Sequence, residues 1–314
     1  MAVVSPLRGL PMQPKPIPIA VIGFGRMGQR HARVLVRSPE FHLAAVVDAD
    51  ETLADAVPQG VPFHASIEAV FGKVRAAVIA VPTESHAQVF EQLARHGIDC
   101  LIEKPLGTSV EQLDWMAALA ARHGTRIFAG YCERFHPVVQ AMRGVLAQYP
   151  RHLEIRRTSV AAPSRIFDTD VMLDLLVHDL DWLYSIIDQE PEEALLESCL
   201  RPSDHIEEVT CRLRFAGALH ARLTASRIAD ARRRVVAVTL ANGELGEFSF
   251  DAPHDAASVD NLTAQAKALA AALRGEPSAI AGLQDARRVM SLVERLRARR
   301  SEGHWVEEEL ADVG

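Results

Sequence analysis

The 314-residue sequence is poor in the features that mark several large protein classes. Its four cysteines, Cys100, Cys132, Cys199 and Cys211, lie far apart, with no C-x-x-C pair and no histidine at metal-ligand spacing. That excludes a disulfide framework and a zinc site, and no metal is expected. No stretch approaches the ~18 consecutive apolar residues of a membrane span. Residues 1–18 carry proline at positions 6, 11, 14, 16 and 18 and no continuous apolar core, so they fail as a signal peptide. Residues 1–16 are expected to be a disordered leader on a cytoplasmic protein, with the folded pattern starting at Ile17. A basic surplus is also missing: 34 Lys+Arg against 41 Asp+Glu leave a net charge of −7. The nucleic-acid footprint of a basic face is therefore absent, and nucleic acid is not expected as a partner. Arg232-Arg233-Arg234, the densest basic run, reads as a solvated strand end. There is no internal repeat and no low-complexity tract.

What is present is an ordinary globular composition, 48% hydrophobic and 24% charged, long enough for two domains. From Ile17 to about Gly130, short β-branched runs alternate with helical ones, the grammar of a parallel sheet with crossover helices. Strands are expected at 17–22, 43–47, 76–81, 100–103 and 126–129. Helices are expected at 28–37 and at 85–96, the latter stopping at Gly97. Ser109 and Gln112 form a capping-box signal for a third helix that ends at Gly124. Beyond Gly130 the pattern changes to one apolar helix at 171–187 and strands at 152–160, 207–215, 218–226, 232–240 and 245–250. Asn242-Gly243 marks a hairpin between the last two strands. Two helices, 261–273 and 283–297, end the pattern. The fold class expected is α/β: a doubly wound Rossmann domain over 17–130, then an α+β domain over 131–314 with an open, largely antiparallel sheet. Leu213, Phe215, Leu219 and Leu223 are expected on an uncovered apolar sheet face, hence a homo-oligomer, dimer or tetramer.

Gly23-Phe24-Gly25-Arg26-Met27-Gly28 is a G-x-G-x-x-G sequence that follows an apolar strand and opens a helix, 20 residues before Asp48. In that context each glycine has a task. Gly23 permits the tight turn, Gly25 lets the backbone approach a pyrophosphate, and Gly28 lets helix and strand pack closely, with the helix N-terminus facing the anion. Asp48 suits the 2′-hydroxyl of an adenosine ribose and repels a 2′-phosphate, which favours NAD. A flavin uses the same fingerprint, but the second nucleotide signature of flavin enzymes is missing.

Leu101-Ile102-Glu103-Lys104-Pro105 sets a lysine where a strand of the open sheet ends, the side on which such sheets bind ligands. Lys104 suits a donor to a substrate hydroxyl or to the nicotinamide ribose, and equally a structural surface lysine. In Asp170–Leu183, Asp174, His178 and Asp181 share one stripe of a helix at 100° per residue, opposite an apolar side. Such a stripe either faces water or serves chemistry in a cleft. Asp174 beside His178 would orient the imidazole, raise its pKa from ~6.5 and make it a general base.

The G-x-G-x-x-G start, the E-K-P tripeptide and D-x-x-x-H-D-x-D, in this order from Ile17 to about Arg297, together resemble the glucose-fructose oxidoreductase/inositol dehydrogenase family (Gfo/Idh/MocA). The resemblance implies Lys104, Asp174 and His178 as catalytic residues. It implies a cofactor set of Gly23, Phe24, Gly25, Arg26, Met27, Gly28, Asp48, Pro82, Thr83, His86, Glu103 and Lys104. Gly130-Tyr131-Cys132-Glu133-Arg134-Phe135-His136-Pro137 and Asp168-Thr169-Asp170 resemble, more narrowly, members that oxidise the 3-hydroxyl of UDP-N-acetylglucosamine, with His136 where those carry asparagine. Expected substrate contacts are Lys104, Arg134, Asp174 and His178, although Arg134 is also read as an ion-pair partner of Glu133. The implied activity is an NAD-dependent dehydrogenase of a sugar ring hydroxyl, with an inositol or free-sugar dehydrogenase or ketone reductase, or a non-catalytic NAD-binding regulator, as alternatives. Either His178 or Lys104 can be the base on this reading.

Overall fold

The computed structural model describes residues 14–148, 150–160, 169–201, 205–252 and 260–298. Of the expected leader, only 14–16 lie within the described residues. Strands Ile17–Ile22 (β1), Phe41–Val47 (β2), Phe63–His64 (β3), Ala76–Ile79 (β4), Asp99–Ile102 (β5) and Ile127–Ala129 (β6) make a parallel sheet in the order β3-β2-β1-β4-β5-β6. Every residue of β4 and of β5 is buried, because helices cover both faces. The order reverses between β1 and β4, and the crevice beyond the carboxyl ends of the strands opens there. The crossover helices are Arg26–Arg37 (α1), His86–Arg95 (α2) and Val110–His123 (α3). Ser109 caps α3 by accepting from the Gln112 N–H at 3.1 Å. The Gln112 side-chain oxygen Oε1 accepts from Thr108 N–H at 2.8 Å, one residue before the cap, so the box closes on Thr108. Gly124, at φ 66°, ends the helix in the left-handed conformation.

Pro150–Thr158 (β7), Glu193–Leu200 (β8), Glu208–Arg214 (β9), His220–Ser226 (β10), Arg233–Leu240 (β11) and Leu245–Ser249 (β12) form a second sheet, ordered β12-β11-β7-β10-β9-β8. Within this second sheet only the β7–β10 pair is parallel among the described strands. The remaining helices are Pro137–Leu146 (α4), Val177–Ile187 (α5), Asn261–Arg274 (α6) and Leu283–Ala298 (α7). Three elements escape the sequence pattern. β3 has two residues, β8 has the Glu-, Ala- and Leu-rich composition of a helix but pairs along β9, and α4 starts on Pro137 behind a histidine cap in place of the usual Ser, Thr, Asp or Asn.

Two expectations are corrected here. Leu213, Phe215 and Leu223 are fully buried in a core shared with Leu180 and Leu183 of α5 and Val293 and Leu296 of α7, and Leu219 packs at its edge. The chain's own helices cover that apolar face, which removes the uncovered surface on which the oligomer expectation rested. The opposite face carries a cross-strand charge ladder in which Arg222 joins Glu154 and Glu197, and Glu197 also meets Arg212. Nor does the first domain end cleanly at Gly130. Ala266, Leu269, Ala270 and Leu273 of α6 pack with Ile19, Val21, Ala32 and Leu35 under the first sheet, so the chain returns to complete the Rossmann core. Among the described residues no helix is long and apolar enough to cross a membrane.

Candidate active site

The glycine loop is built as its sequence requires. Gly23 stands at φ 87°, and a Cβ there would lie 2.7 Å from the Ala80 carbonyl group. A Cβ on Gly28 would lie 1.9 Å from the Gly23 oxygen, whereas Gly25 faces open space at the N-terminus of α1. That cradle fits a pyrophosphate. Asp48, at the end of β2, accepts from the Phe24 N–H at 2.5 Å and from the Asp50 N–H at 2.9 Å, tying the loop to the second strand. Each carboxylate oxygen keeps acceptor capacity for a ribose hydroxyl. Phe24 is 1% exposed, so its ring belongs to the core and only its backbone belongs to the loop.

At the ends of β4 and β5 the expected cofactor residues divide. Thr83 lines the cleft and Pro82 stands exposed just before it. His86 is buried, and its two ring nitrogens lie 3.0 Å and 2.9 Å from the carbonyl oxygens of Pro105 and Val81. It fastens the E-K-P segment to the end of β4. Glu103 lies 2.6 Å from His31 of α1. Burial pushes its carboxyl up, but the His31 hydrogen bond, the His31 charge and Lys104 overcome this and hold its pKa below the usual range. His86 and Glu103 both line the cleft beside Lys104, whose main-chain N–H donates to Glu103 at 3.2 Å.

A π-helical turn, Met172–Leu176, precedes α5, a local widening that often marks functional sites. It breaks the expected stripe. Each carboxylate in the D-x-x-x-H-D-x-D stretch meets its own cation from another element. The Lys104 ammonium donates to Asp174 twice, at 2.7 Å to Oδ1 and 2.8 Å to the main-chain oxygen. Asp179 accepts two bonds from Arg157, at 2.9 and 2.8 Å. Asp181 accepts two from Arg134, at 2.9 and 2.5 Å, deep in the core. Behind Asp174, the buried Arg227 lies 3.7 Å from Oδ2 and donates to Glu207 at 2.8 Å. Lys104, Asp174, Arg227 and Glu207 thus alternate in charge.

Two site expectations are overturned by these contacts. Arg134 is committed to Asp181, with 7% of its side chain exposed, and does not reach the cleft. Asp174 does not orient His178, because its carboxylate serves Lys104. The imidazole lines the cleft, and its Nδ1 is buried without a partner among the described residues. Burial first, then the charges of Lys104, Arg157 and Arg234, push the His178 pKa well below the ordinary histidine value, opposite to the upward shift expected from an adjacent aspartate. His178 is therefore neutral at neutral pH.

The cleft between the two sheets encloses about 700 Å³. It brings Arg26, Met27, Thr83, Lys104, Asp174 and His178 together. It also exposes residues that the sequence did not single out as site residues: Glu133, Arg157, Arg232 and Arg234. Glu133 lines the cleft while its neighbour Arg134 turns to the core. The alternation of an extended strand could have placed Arg232 and Arg234 on one side. Nothing in the sequence marks Arg157 or Arg227. His136 explains its own substitution for asparagine: its Nδ1 accepts from Val138 N–H at 3.2 Å and caps α4, a task either side chain performs.

With this geometry in hand, comparison with known proteins defines the class. The family model for the oxidoreductase family with an NAD-binding Rossmann fold matches residues 17–131. The chain belongs to the Gfo/Idh/MocA family of NAD-binding oxidoreductases. It is 31% identical over 210 residues to UDP-N-acetylglucosamine 3-dehydrogenase of Acidithiobacillus ferrooxidans, a match spanning 66% of each chain. The solved structure of that dehydrogenase superposes with a TM-score of 0.77 at 26% identity, covering 90% of this chain and 97% of the other. Inositol 2-dehydrogenase of Rhizobium meliloti is 24% identical over 224 residues, 66% of this chain and 68% of the relative.

Proposed function

We propose that this protein is an NAD-dependent dehydrogenase that oxidises a ring hydroxyl of a sugar, best the 3-hydroxyl of a UDP-linked amino sugar such as UDP-N-acetylglucosamine. The observation that carries the reading is the state of Lys104. Its ammonium has three N–H donors and gives two to Asp174, leaving one beside a neutral His178 on the cleft wall. The third donor suits the substrate oxygen. Its charge lowers the cost of the developing alkoxide, which compensates for the weak basicity of an imidazole whose pKa is depressed. His178 then takes the hydroxyl proton. Gly23, Gly25, Gly28, the N-terminus of α1 and Asp48 would hold the NAD, which supplies the acceptor for the hydride leaving the carbinol carbon. The Asp48 carboxylate favours NAD over NADP.

The similarity to the UDP-N-acetylglucosamine 3-dehydrogenase supports the nucleotide-sugar substrate. The similarity to inositol 2-dehydrogenase supports a second reading, a cyclitol or free-sugar dehydrogenase. A screen of NAD reduction across UDP-sugars, inositols and free hexoses tests both. Turnover highest with UDP-N-acetylglucosamine is the expected result, turnover only with a cyclitol favours the second reading, and NAD binding without any turnover refutes both.

A further inference from the structure

The cleft is positive in a negative chain. Six of its lining residues, Arg26, Arg30, Lys104, Arg157, Arg232 and Arg234, are cationic, and three, Glu103, Glu133 and Asp174, are carboxylates. The whole protein carries −7. Arg26 and Arg30 belong to α1, on the cofactor side, but Arg157 and Arg234 come from the second sheet and Arg232 directly precedes its strand β11. The last two belong to the Arg232-Arg233-Arg234 run, which the sequence reading assigned to solvent. Extended backbone turns 232 and 234 to one side, into the cleft, and leaves Arg233 out of its lining.

These three guanidiniums form a graded row. Arg157 is 6% exposed at its side chain, Arg234 20% and Arg232 64%. Arg157 is held by Asp179, and Arg234 is held by Glu133 at 3.3 Å and by Asp251 at 2.8 Å. Arg232 touches only Asp251, through Nε at 3.4 Å, and its Nη nitrogens have no partner among the described residues. Arg157 also lies 3.8 Å from Glu133, and Arg234 and Arg232 share Asp251, so two carboxylates link the three guanidiniums in the order Arg157, Arg234, Arg232. The row therefore leads outward from the candidate reaction centre and ends on a guanidinium with its fork uncommitted.

We propose that Arg232, backed by Arg234 and Arg157, is an anion subsite that grips a phosphoryl group of the substrate, with the sugar ring lying inward between it and His178. The inference rests on the proposed function and names the group that would select a phosphate-linked sugar. A guanidinium presents two parallel N–H donors to two phosphoryl oxygens, a match that a lysine cannot make. The phosphoryl group belongs to a nucleoside diphosphate or to a simple sugar phosphate, and the two sources are separable.

The test uses full-length protein saturated with NADH, so that the dinucleotide site is filled, and calorimetric titration with UDP, uridine and glucose 1-phosphate. UDP is expected to bind well above uridine, and Arg232→Gln to weaken UDP about ten-fold, with Arg232→Lys intermediate and NADH affinity unchanged. UDP binding above glucose 1-phosphate points to the nucleoside diphosphate, and the reverse order to a sugar phosphate; either supports the subsite. UDP binding no better than uridine, or equal UDP affinity in wild type and Arg232→Gln, overturns it. If UDP binds through Arg232 but no polyol is oxidised, the dehydrogenase reading fails and the subsite stands. If an inositol is oxidised and UDP does not bind, the subsite fails and the dehydrogenase reading stands.

Discussion

Asp174→Asn separates two ways in which this aspartate could act. Sequence spacing makes it the orienter of His178, so that its loss should matter little once His178 is gone. The structure makes it the partner of Lys104, through a 2.7 Å bond between side chains that are 19% and 9% exposed. The substitution keeps the shape and removes the charge. Leaving a charged donor without its charged acceptor costs about 1–3 kcal/mol. Lys104 retains its bond to the Asp174 main-chain oxygen and some solvent, so the lower part of that range applies, ~1–2 kcal/mol, or about a five- to thirty-fold fall in kcat/KM. Two double-mutant cycles on the best substrate decide the matter. Asp174→Asn should cost its full amount on top of His178→Ala and little on top of Lys104→Met. The opposite pattern, a full cost on Lys104→Met and almost none on His178→Ala, would refute the assignment and restore the Asp–His pair.

Three further outcomes follow from the same contacts. Because His178 must be neutral to take a proton and its pKa lies well below the ordinary value, kcat/KM for oxidation should hold steady as pH falls through ~6.5 and decline only at lower pH; Lys104→Met, by removing one repelling charge, should move that decline upward. Arg134→Met should destabilise the fold by ~3–5 kcal/mol in urea titration by leaving Asp181 buried and unpaired, and Arg134→Met with Asp181→Leu should recover most of that; a stable single variant with a raised substrate KM would instead return Arg134 to the cleft. Asp48→Ala should shrink the preference for NAD over NADP, which in wild type should reach about ten-fold, the equivalent of ~1.4 kcal/mol; equal calorimetric affinities in wild type would contradict the role of Asp48.

The Rossmann half was legible because its signals are local. The spacing of three glycines, the alternation of buried strands with helices, and a cap such as Ser109 act within a few residues. β8 was hidden because its Glu-, Ala- and Leu-rich composition favours a helix, and only β9 beside it makes it a strand. The site was half legible for a related reason. Lys104, Asp174 and His178 do meet in one cleft, as their motifs imply. Which of them touches which depends on the π-helical turn at Met172–Leu176 and on cations that arrive from distant strands: Arg157 from β7 and Arg227 just beyond β10. A helical wheel drawn at 100° per residue cannot anticipate that turn, so it set Asp174 on the stripe of His178 and made it the partner of the imidazole. The same limit hid Arg134, whose partner stands 47 positions along the chain.

The claim that Lys104 and His178 serve dehydrogenation at the 3-hydroxyl of a nucleotide-linked amino sugar is tested most directly by following the hydrogen. UDP-N-acetylglucosamine deuterated at C3 would be incubated with NAD and the protein, and the reduced cofactor examined by mass spectrometry and proton NMR. Deuterium at nicotinamide C4, with its transfer lost in His178→Ala while NAD still binds, is the predicted result. Cofactor that binds but stays unlabelled and oxidised, under conditions where the same preparation oxidises an inositol or nothing at all, would contradict it.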